Sequence, residues 1–370
     1  VNEHVRALDG IRAVAVLAVL LFHAESLSAG TTRFQGGFLG VSVFFTLSGF
    51  LIGGQVLREH EHTGTVAVAP FTRRRIARLA PVALVVVLAV VLLTRTPVGT
   101  WNAFGGVDAL SALWQFTNWH LAWLPDSAGF RLVHPLTHFW SLSVEVQFYA
   151  ATGLAVTVLR RGDLRTRLTR LALLGWWCSL AMALVLHSTV RREEFGTDVR
   201  LAEFAAGVLL AVWLPRIDVR AVRIAGPVAA LVLPLAVLFV GREEFWLSNG
   251  GYALLSVVWA VWIAAVHHEG ALRRACSWAP LVWLGTISYS LYAVHWPVVL
   301  ALPDSRLHLG GWWAVVVRCA VSLAAAALLH RLVEQPLRRR LATVPTGRLV
   351  GGWLGATVVV SGVAVAVLAA

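Results

Sequence analysis

Apolar runs of about 17–22 residues, each long enough to cross a bilayer as a helix, alternate with short charged stretches along most of the chain. They predict helices near 8–27, 38–57, 79–95, 140–159, 171–190, 199–214, 224–240, 251–267, 281–300, 312–333 and 350–370. The fold class expected is all-α, a polytopic transmembrane helical bundle with a ten-helix core and an eleventh C-terminal helix. The division expected is a membrane-embedded domain over 1–340, followed over 341–370 by a cytoplasmic linker and the additional helix. No fixed-period repeat, low-complexity tract or appended soluble domain interrupts this pattern. No cleavable signal peptide is expected, because the first apolar run leads into further spans.

The loops divide into two sets by charge. "REHEHTGTVAVAPFTRRRIAR", "RRGDLRTRLTR", "PRIDVRAVR", "HHEGALRRACS" and "EQPLRRRLATVPTGR" are rich in Arg, whereas "SAGTTRFQGG", "RREEFGTD", "GREEFWLSNG" and "PDSRLHLGG" are poor in it or acid-balanced. The positive-inside rule therefore places the first set and the N-terminus in the cytoplasm. The longest segment on the other side, near 96–138, carries Trp101, Trp114, Trp119, Trp123, His120, His134 and His138, and is expected on the membrane face or folded back into it.

Composition sharpens the class. Hydrophobic residues make up 58% of the 370 and charged ones 14%, well above the roughly 45–50% apolar usage of soluble domains. All 31 basic residues are Arg, so the net charge of +12 reads first as the mark of a GC-rich bacterial genome. No nucleic-acid partner is expected; anionic lipid or an anionic co-substrate suits basic clusters beside apolar spans better. Cys178, Cys276 and Cys319 have no metal-ligand or CxxC spacing and read as small buried hydrophobes, and no metal is expected.

Ionisable groups inside apolar helices cost a few kcal/mol each, which makes them functional candidates. In "RALDGIRAVAVLAVLLFHAE", His23 follows Arg12 by eleven residues, about 16 Å along a helix axis. The spacing alone leaves His23 either an interfacial cap or a group beside a polar-lined passage, which the Gly- and Ser-rich second span would permit. In "FTRRRIARLAP", Arg74, Arg75 and Arg78 can share a helix face and present guanidinium forks to a phosphate, although a positive-inside anchor gives the same pattern. In "HFWSLSVEVQFYA", Ser141, Glu145 and Phe148 or Tyr149 fall on one face; Glu145 could orient a histidine, pair with an arginine or donate a proton. "LGTISYSLYAVHWPVV" adds Ser288, Tyr289, Tyr292 and His295, with Tyr292 and His295 candidates for substrate contact or for an aromatic belt. Glu334 with the following arginines reads as a structural ion network, and Arg200 with Glu203 as a local pair. GxxxxGK[ST], GxGxxG before a βαβ pattern, GxSxG and HExxH are all missing, against nucleotide hydrolysis, dinucleotide chemistry and zinc proteolysis.

Four blocks, "RALDGIRAVAVLAVLLFH" with "GGFLGVSVFFTLSGFLI", "FTRRRIARLAP", "HFWSLSVEVQFY", and "LGTISYSLYAVHWPVV" with "VEQPLRRR", together resemble acyltransferase family 3 of integral membrane O-acyltransferases. The resemblance runs from residue 6 to about 340. It implies an acyl-CoA-dependent enzyme of the bacterial cytoplasmic membrane that moves an acyl group, usually acetyl, to a hydroxyl of a sugar-containing acceptor. Acyl-CoA would be a co-substrate, with no permanently bound cofactor. The family's Arg–His pair maps onto Arg12 and His23, its basic motif onto Arg74, Arg75 and Arg78, and its Ser-x-Glu-x-x-Phe-Tyr pattern onto Ser143, Glu145, Phe148 and Tyr149. The family often has a second acid after the glutamate; Val146 stands there in this chain.

Transfer from a thioester to an alcohol needs a base, oxyanion stabilisation and a grip on the CoA phosphates. His23 is the expected base, with Glu145 the second catalytic candidate, Arg12 and the arginine cluster on CoA, and Ser143 and Tyr149 on substrate. Ser42 and Ser48 stay open as nucleophiles. Expected acceptors are an envelope glycan, a glycolipid or a macrolide-type metabolite. The rival reading is a proton-coupled transporter or flippase of a lipid-linked glycan.

Overall fold

A computed structural model describes residues 5–28, 33–99, 101, 104–124, 134–158, 163–185, 190–242 and 244–369. Parts of the expected loops, 125–133 among them, lie outside the described residues. In chain order the helices are α1 (Arg6–Glu25), α2 (Gly40–Thr63), α3 (Val68–Leu93), α4 (Gly106–Leu113), α5 (Thr117–Ala122) and α6 (Phe139–Val158). There follow α7 (Leu164–Val185), α8 (Val190–Phe195), α9 (Thr197–Trp213), α10 (Val219–Phe239), α11 (Tyr252–His267) and α12 (Ala271–Cys276). The last are α13 (Ala279–Thr286), α14 (Ser288–Ala301), α15 (Asp304–Leu307), α16 (Gly311–Leu329), α17 (Gln335–Leu341) and α18 (Thr346–Ala369). Among the described residues there is no strand.

Eight described helices are long and apolar enough to cross a membrane. Three expected spans take other forms. That near 140–159 is α6, whose polar positions dilute it; that near 199–214 is the 17-residue α9; and that near 281–300 is broken at Ile287 into α13 and α14. The third span starts at Val68 rather than near 79, so the arginine cluster sits inside the helix and not ahead of it.

The chain divides into two compact units. One holds α1, α2 and α7 to α13. Within it α2 and α9 touch: a Cβ on Gly49 would lie 2.1 Å from the Phe204 carbonyl oxygen and one on Gly207 would lie 2.0 Å from that of Thr46. Two glycines facing each other's backbones let the helices touch, which is the packing the small residues of the second span predict. The side chains around this contact, Val43, Leu47, Phe50, Leu210 and Trp259, are buried. Within the same unit the Arg200–Glu203 pair is bidentate, at 2.7 and 3.1 Å, and buried, with the guanidinium 3.8 Å from the Tyr252 ring centroid. Cys178 departs from expectation: it lies on an exposed face of α7, whereas Cys276 is buried.

The other unit holds α3 to α6 and α14 to α18, with Ser288 at the junction. Here α18 runs parallel to α3. The Thr346 hydroxyl donates to the Ala69 carbonyl at 3.1 Å near their starts, and Arg95 reaches the Val367 carbonyl near their ends. The α4–α5 segment folds back along α6, as expected of the stretch near 96–138: the Thr117 N–H donates to Ser143 Oγ (3.2 Å), and Gln147 Nε2 donates to the Gln115 carbonyl (3.0 Å) and to Asn118 Oδ1 (2.9 Å). Exposed faces such as Val358 and Val359 of α18 are apolar, which suits lipid rather than water.

Replacing Gly207 by Val would drive a side chain into α2, and overpacking of this kind costs about 1–3 kcal/mol or more. The expected result is a lowered thermal midpoint of the purified protein in detergent, with Gly347→Val, at a position open to space, leaving it within error.

Candidate active site

In the first unit, α1 is unbroken from Arg6 to Glu25, so Arg12 and His23 keep the spacing of about 16 Å that one helix imposes. Arg12 Nη1 donates to Asp9 Oδ1 at 2.7 Å, one turn back. His23 is half-buried at the other end, with Nδ1 3.0 Å from the Val19 carbonyl. A carbonyl can only accept, so Nδ1 carries the proton, and in the neutral ring Nε2 is the nitrogen able to take one. Glu25 beyond it accepts the backbone N–H groups of Arg33 and Phe34 at 2.8 and 2.7 Å, anchoring the chain that follows α1. Ser42 is fully buried and receives the Trp259 indole N–H at 2.9 Å.

In the second unit, helical periodicity sorts the polar positions of α6 onto two faces. Ser141 and Glu145, one turn apart, face α14 and α3; Ser143 and Gln147 face α5. Ser141 meets the Tyr292 hydroxyl at 2.5 Å, and that hydroxyl donates to the His138 carbonyl at 3.0 Å. Glu145 accepts from the Tyr149 hydroxyl. The Arg75 guanidinium lies over the rings of Tyr149 and Phe71, 5.0 and 5.2 Å from their centroids, and Arg78 is within electrostatic reach of Tyr149, Glu145 and Glu334. Arg74 points to the exposed side of α3, so Arg75 and Arg78 are the two the structure brings to Glu145. Ser143 is different again: its hydroxyl donates to the Phe139 carbonyl at 3.1 Å and takes the Thr117 N–H, clasping the folded-back segment.

Glu334 is buried, accepting from Ser290 Oγ at 2.7 Å and His330 Nδ1 at 2.8 Å, while Arg338, Arg339 and Arg340 are exposed. The expected ion network with those arginines is thereby corrected; Glu334 turns inward, toward Arg78. His295 is buried with Nδ1 2.6 Å from the Tyr292 carbonyl and its ring 5.2 Å from that of His138, so an interfacial aromatic belt does not describe it. A cavity of about 240 Å³ lies between α3, α6 and α18, with Arg75, Tyr149 and Val146 among its lining. Among the described residues no group of three His, Cys, Asp or Glu side chains is placed to hold a metal ion.

Two polar clusters escaped the sequence reading. Arg318 is fully buried in α16, donating to Asp304 Oδ1 (2.5 Å), Ser28 Oγ (2.7 Å) and the Leu302 carbonyl (2.8 Å); its signal was a lone charge inside "GWWAVVVRCAVSL". Outside the spans, Asp108 Oδ1 lies 2.9 Å from His120 Nε2 and 3.6 Å from His134 Nε2, while Oδ2 caps α4 through the Gly105 N–H at 2.8 Å. Burial pushes the Asp108 carboxyl up, but the His120 hydrogen bond, the neighbouring His134 and the Gly105 N–H together bring it below its ordinary value. Burial holds His134 down to about 4, against the pull of Asp108.

A bundle of apolar helices carrying a half-buried histidine of fixed tautomer in one unit, and an arginine–tyrosine–glutamate cluster beside a cavity in the other, defines an integral membrane protein equipped for proton and anion chemistry. A family model described as an acyltransferase domain matches residues 5–331, and the chain belongs to that family, acyltransferase family 3. The peptidoglycan O-acetyltransferase OatA of Listeria monocytogenes is 30% identical over 359 residues, covering 91% of this chain and 56% of that protein. The O-acetyltransferase OatA of Staphylococcus aureus (strain NCTC 8325) is 29% identical over 355 residues, 91% of this chain and 58% of its own. YrhL of Bacillus subtilis (strain 168) is 33% identical over 359 residues, 91% and 55% respectively. The chain thus spans a little over half the length of the curated relatives it matches. No solved structure matches it.

The His134 value sets a pH window. Its folded value lies below the ordinary 6.5, so the unfolded chain takes up the proton first. The stability this neutral ring confers is complete above about pH 6.5 and is lost as the pH falls toward 4, by on the order of 3 kcal/mol at the acid end. Thermal midpoints between pH 7 and 4.5 are expected to fall more steeply in the parent protein than in His134→Asn.

Proposed function

We propose that this chain is the membrane-embedded catalytic part of an O-acetyltransferase that moves an acetyl group from acyl-CoA to a hydroxyl of a sugar-containing envelope acceptor of the peptidoglycan type, in the bacterial cytoplasmic membrane with its N-terminus inside. The observation that carries the reading is the match of 91% of the chain to relatives named as O-acetyltransferases, two of them as acting on peptidoglycan. The geometry of each unit supports it.

His23 is the base. As the acceptor oxygen attacks the thioester carbonyl, its proton passes to Nε2, while the Val19 carbonyl holds Nδ1–H and with it the ring's orientation. Collapse of the tetrahedral intermediate breaks the carbon–sulfur bond, and the imidazolium returns the proton to the departing CoA thiolate. The ester and the free thiol are the products, and no covalent enzyme intermediate is required. Arg75 and Arg78 grip the phosphates of CoA. Glu145, fixed by the Tyr149 hydroxyl, offsets part of the positive charge of the arginine pair when the co-substrate is away, so that the two guanidiniums stay side by side against their mutual repulsion. Arg12, tied to Asp9, and Arg74, on the exposed side of α3, lend positive charge to the cytoplasmic face. Tyr292 and His295 shape the buried end of α14.

CoA release from acetyl-CoA by the purified chain, in the presence of a soluble peptidoglycan oligosaccharide, tests these roles. Removing a general base costs typically 10²–10⁴-fold, so His23→Ala is expected to lower kcat by about that range with KM for acetyl-CoA nearly unchanged. Arg75→Ala is expected to raise that KM about tenfold with a small change in kcat. Thiol release that survives His23→Ala at the parent rate overturns the assignment of the base; absence of saturable acetyl-CoA use moves the reading to a glycan transporter.

A further inference from the structure

The cavity beside Arg75 has a wall that the family match does not include. The match ends at residue 331, whereas α18 begins at Thr346. The Thr346–Ala69 hydrogen bond sets the register of α18 on α3. Seven residues on from each, about 10 Å along both axes, Trp353 and Ile76 stand at the same height, and both line the cavity. A second tie, from the Trp114 indole N–H to Ser361 Oγ at 3.2 Å, holds α18 against the α4–α5 segment, whose Gln115 also lines the cavity. Gln115 has φ of 59°, a left-handed backbone that few non-glycine residues adopt and that marks a turn fixed by its surroundings.

Shape and chemistry select the occupant. At about 240 Å³ the cavity falls below the roughly 300–1,000 Å³ of pockets for drug-sized molecules, so it admits a slender segment rather than a whole nucleotide, and its mostly apolar walls leave the hydroxyls of a sugar ring without partners. Its walls are apolar except at Thr72, Arg75, Gln115, Tyr149 and Tyr289. A guanidinium and a few hydrogen-bonding groups among apolar walls match a flexible chain that carries phosphate at one end and a few amides along its length.

We infer that Trp353 of α18 is a donor-binding residue: its indole face packs on the pantetheine arm of acyl-CoA and makes the C-terminal helix part of the co-substrate site. This rests on the reading of Arg75 as a CoA-phosphate contact. A phospholipid acyl chain would meet the same apolar walls, and the experiment separates the two occupants.

The test is steady-state kinetics of the full chain with acetyl-CoA as the varied substrate, for Trp353→Ala, Trp353→Phe, Arg75→Ala and, as a control on the lipid-facing side of α18, Val359→Ala. Trp353→Ala is expected to raise KM for acetyl-CoA about tenfold, leaving kcat and the acceptor KM within about twofold. Trp353→Phe, which keeps an aromatic face, should give a smaller rise, and Val359→Ala none. Should the alanine variant not fold, the phenylalanine variant carries the test through the same smaller rise. An unchanged acetyl-CoA KM in both Trp353 variants, with the rise present in Arg75→Ala, overturns the role of Trp353 while the donor reading stands, and a change confined to copurified phospholipid assigns the cavity to lipid. An unchanged KM in the Arg75 and Trp353 variants alike overturns both.

Discussion

Hydrocarbon offers no water to a charged or hydrogen-bonding group, so a polar side chain on an apolar helix must find its partner inside the protein. Arg200 has Glu203 in bidentate geometry and the face of Tyr252; Arg318 has Asp304, Ser28 and a main-chain carbonyl; Glu334 has Ser290 and His330. Satisfying these groups fixes where the helices go. The Arg318 cluster ties the turn after α14 to α16, and Glu334 ties α14 to the end of α16, so the polar minority of the sequence decides the packing of the apolar majority.

The helix α6 shows how one sequence serves two neighbours. In "SLSVEVQFY" a polar residue stands at every second position, a spacing foreign to helical periodicity. The helix turns about 100° per residue and so sends alternate members to opposite sides. Ser141 and Glu145 go to Tyr292 and to the arginines of α3, while Ser143 and Gln147 hold the α4–α5 segment. That segment, α3 and α18 all contribute to the cavity's lining. In the other unit, in α1, the Val19 carbonyl one turn back from His23 sets its tautomer.

Much of this was legible in the sequence. Run lengths revealed a bundle of membrane helices, the Gly- and Ser-rich second span indicated close helix packing without naming its partner, and Glu145 with Tyr149 stood out as a polar face. Other features were hidden for physical reasons. The break at Ile287 leaves only the weak mark of Gly285, Thr286 and Ser288 in "LVWLGTISYSLYAVHW", which a reading of apolar run lengths passes over. The start of α3 at Val68 was masked because Arg73, Arg74, Arg75 and Arg78 interrupt the apolar run, although their spacing suits a helix face. The Asp108–His120–His134 cluster joins residues twelve and twenty-six apart through a fold-back that no periodicity encodes. Ser143 matched a family motif, yet its hydroxyl serves the main chain of α5, a partner that composition cannot announce.

The central claim is chemical: the acetyl group of a thioester becomes an ester on a glycan, with His23 taking the proton. Incubating the purified chain with isotope-labelled acetyl-CoA and a soluble peptidoglycan oligosaccharide, then reading the glycan by mass spectrometry, tests it most directly. The expected result is a labelled O-acetyl ester, lost on mild alkaline treatment and absent with His23→Ala. An unmodified glycan under conditions where the chain binds both substrates, or labelling that persists in His23→Ala, would contradict it.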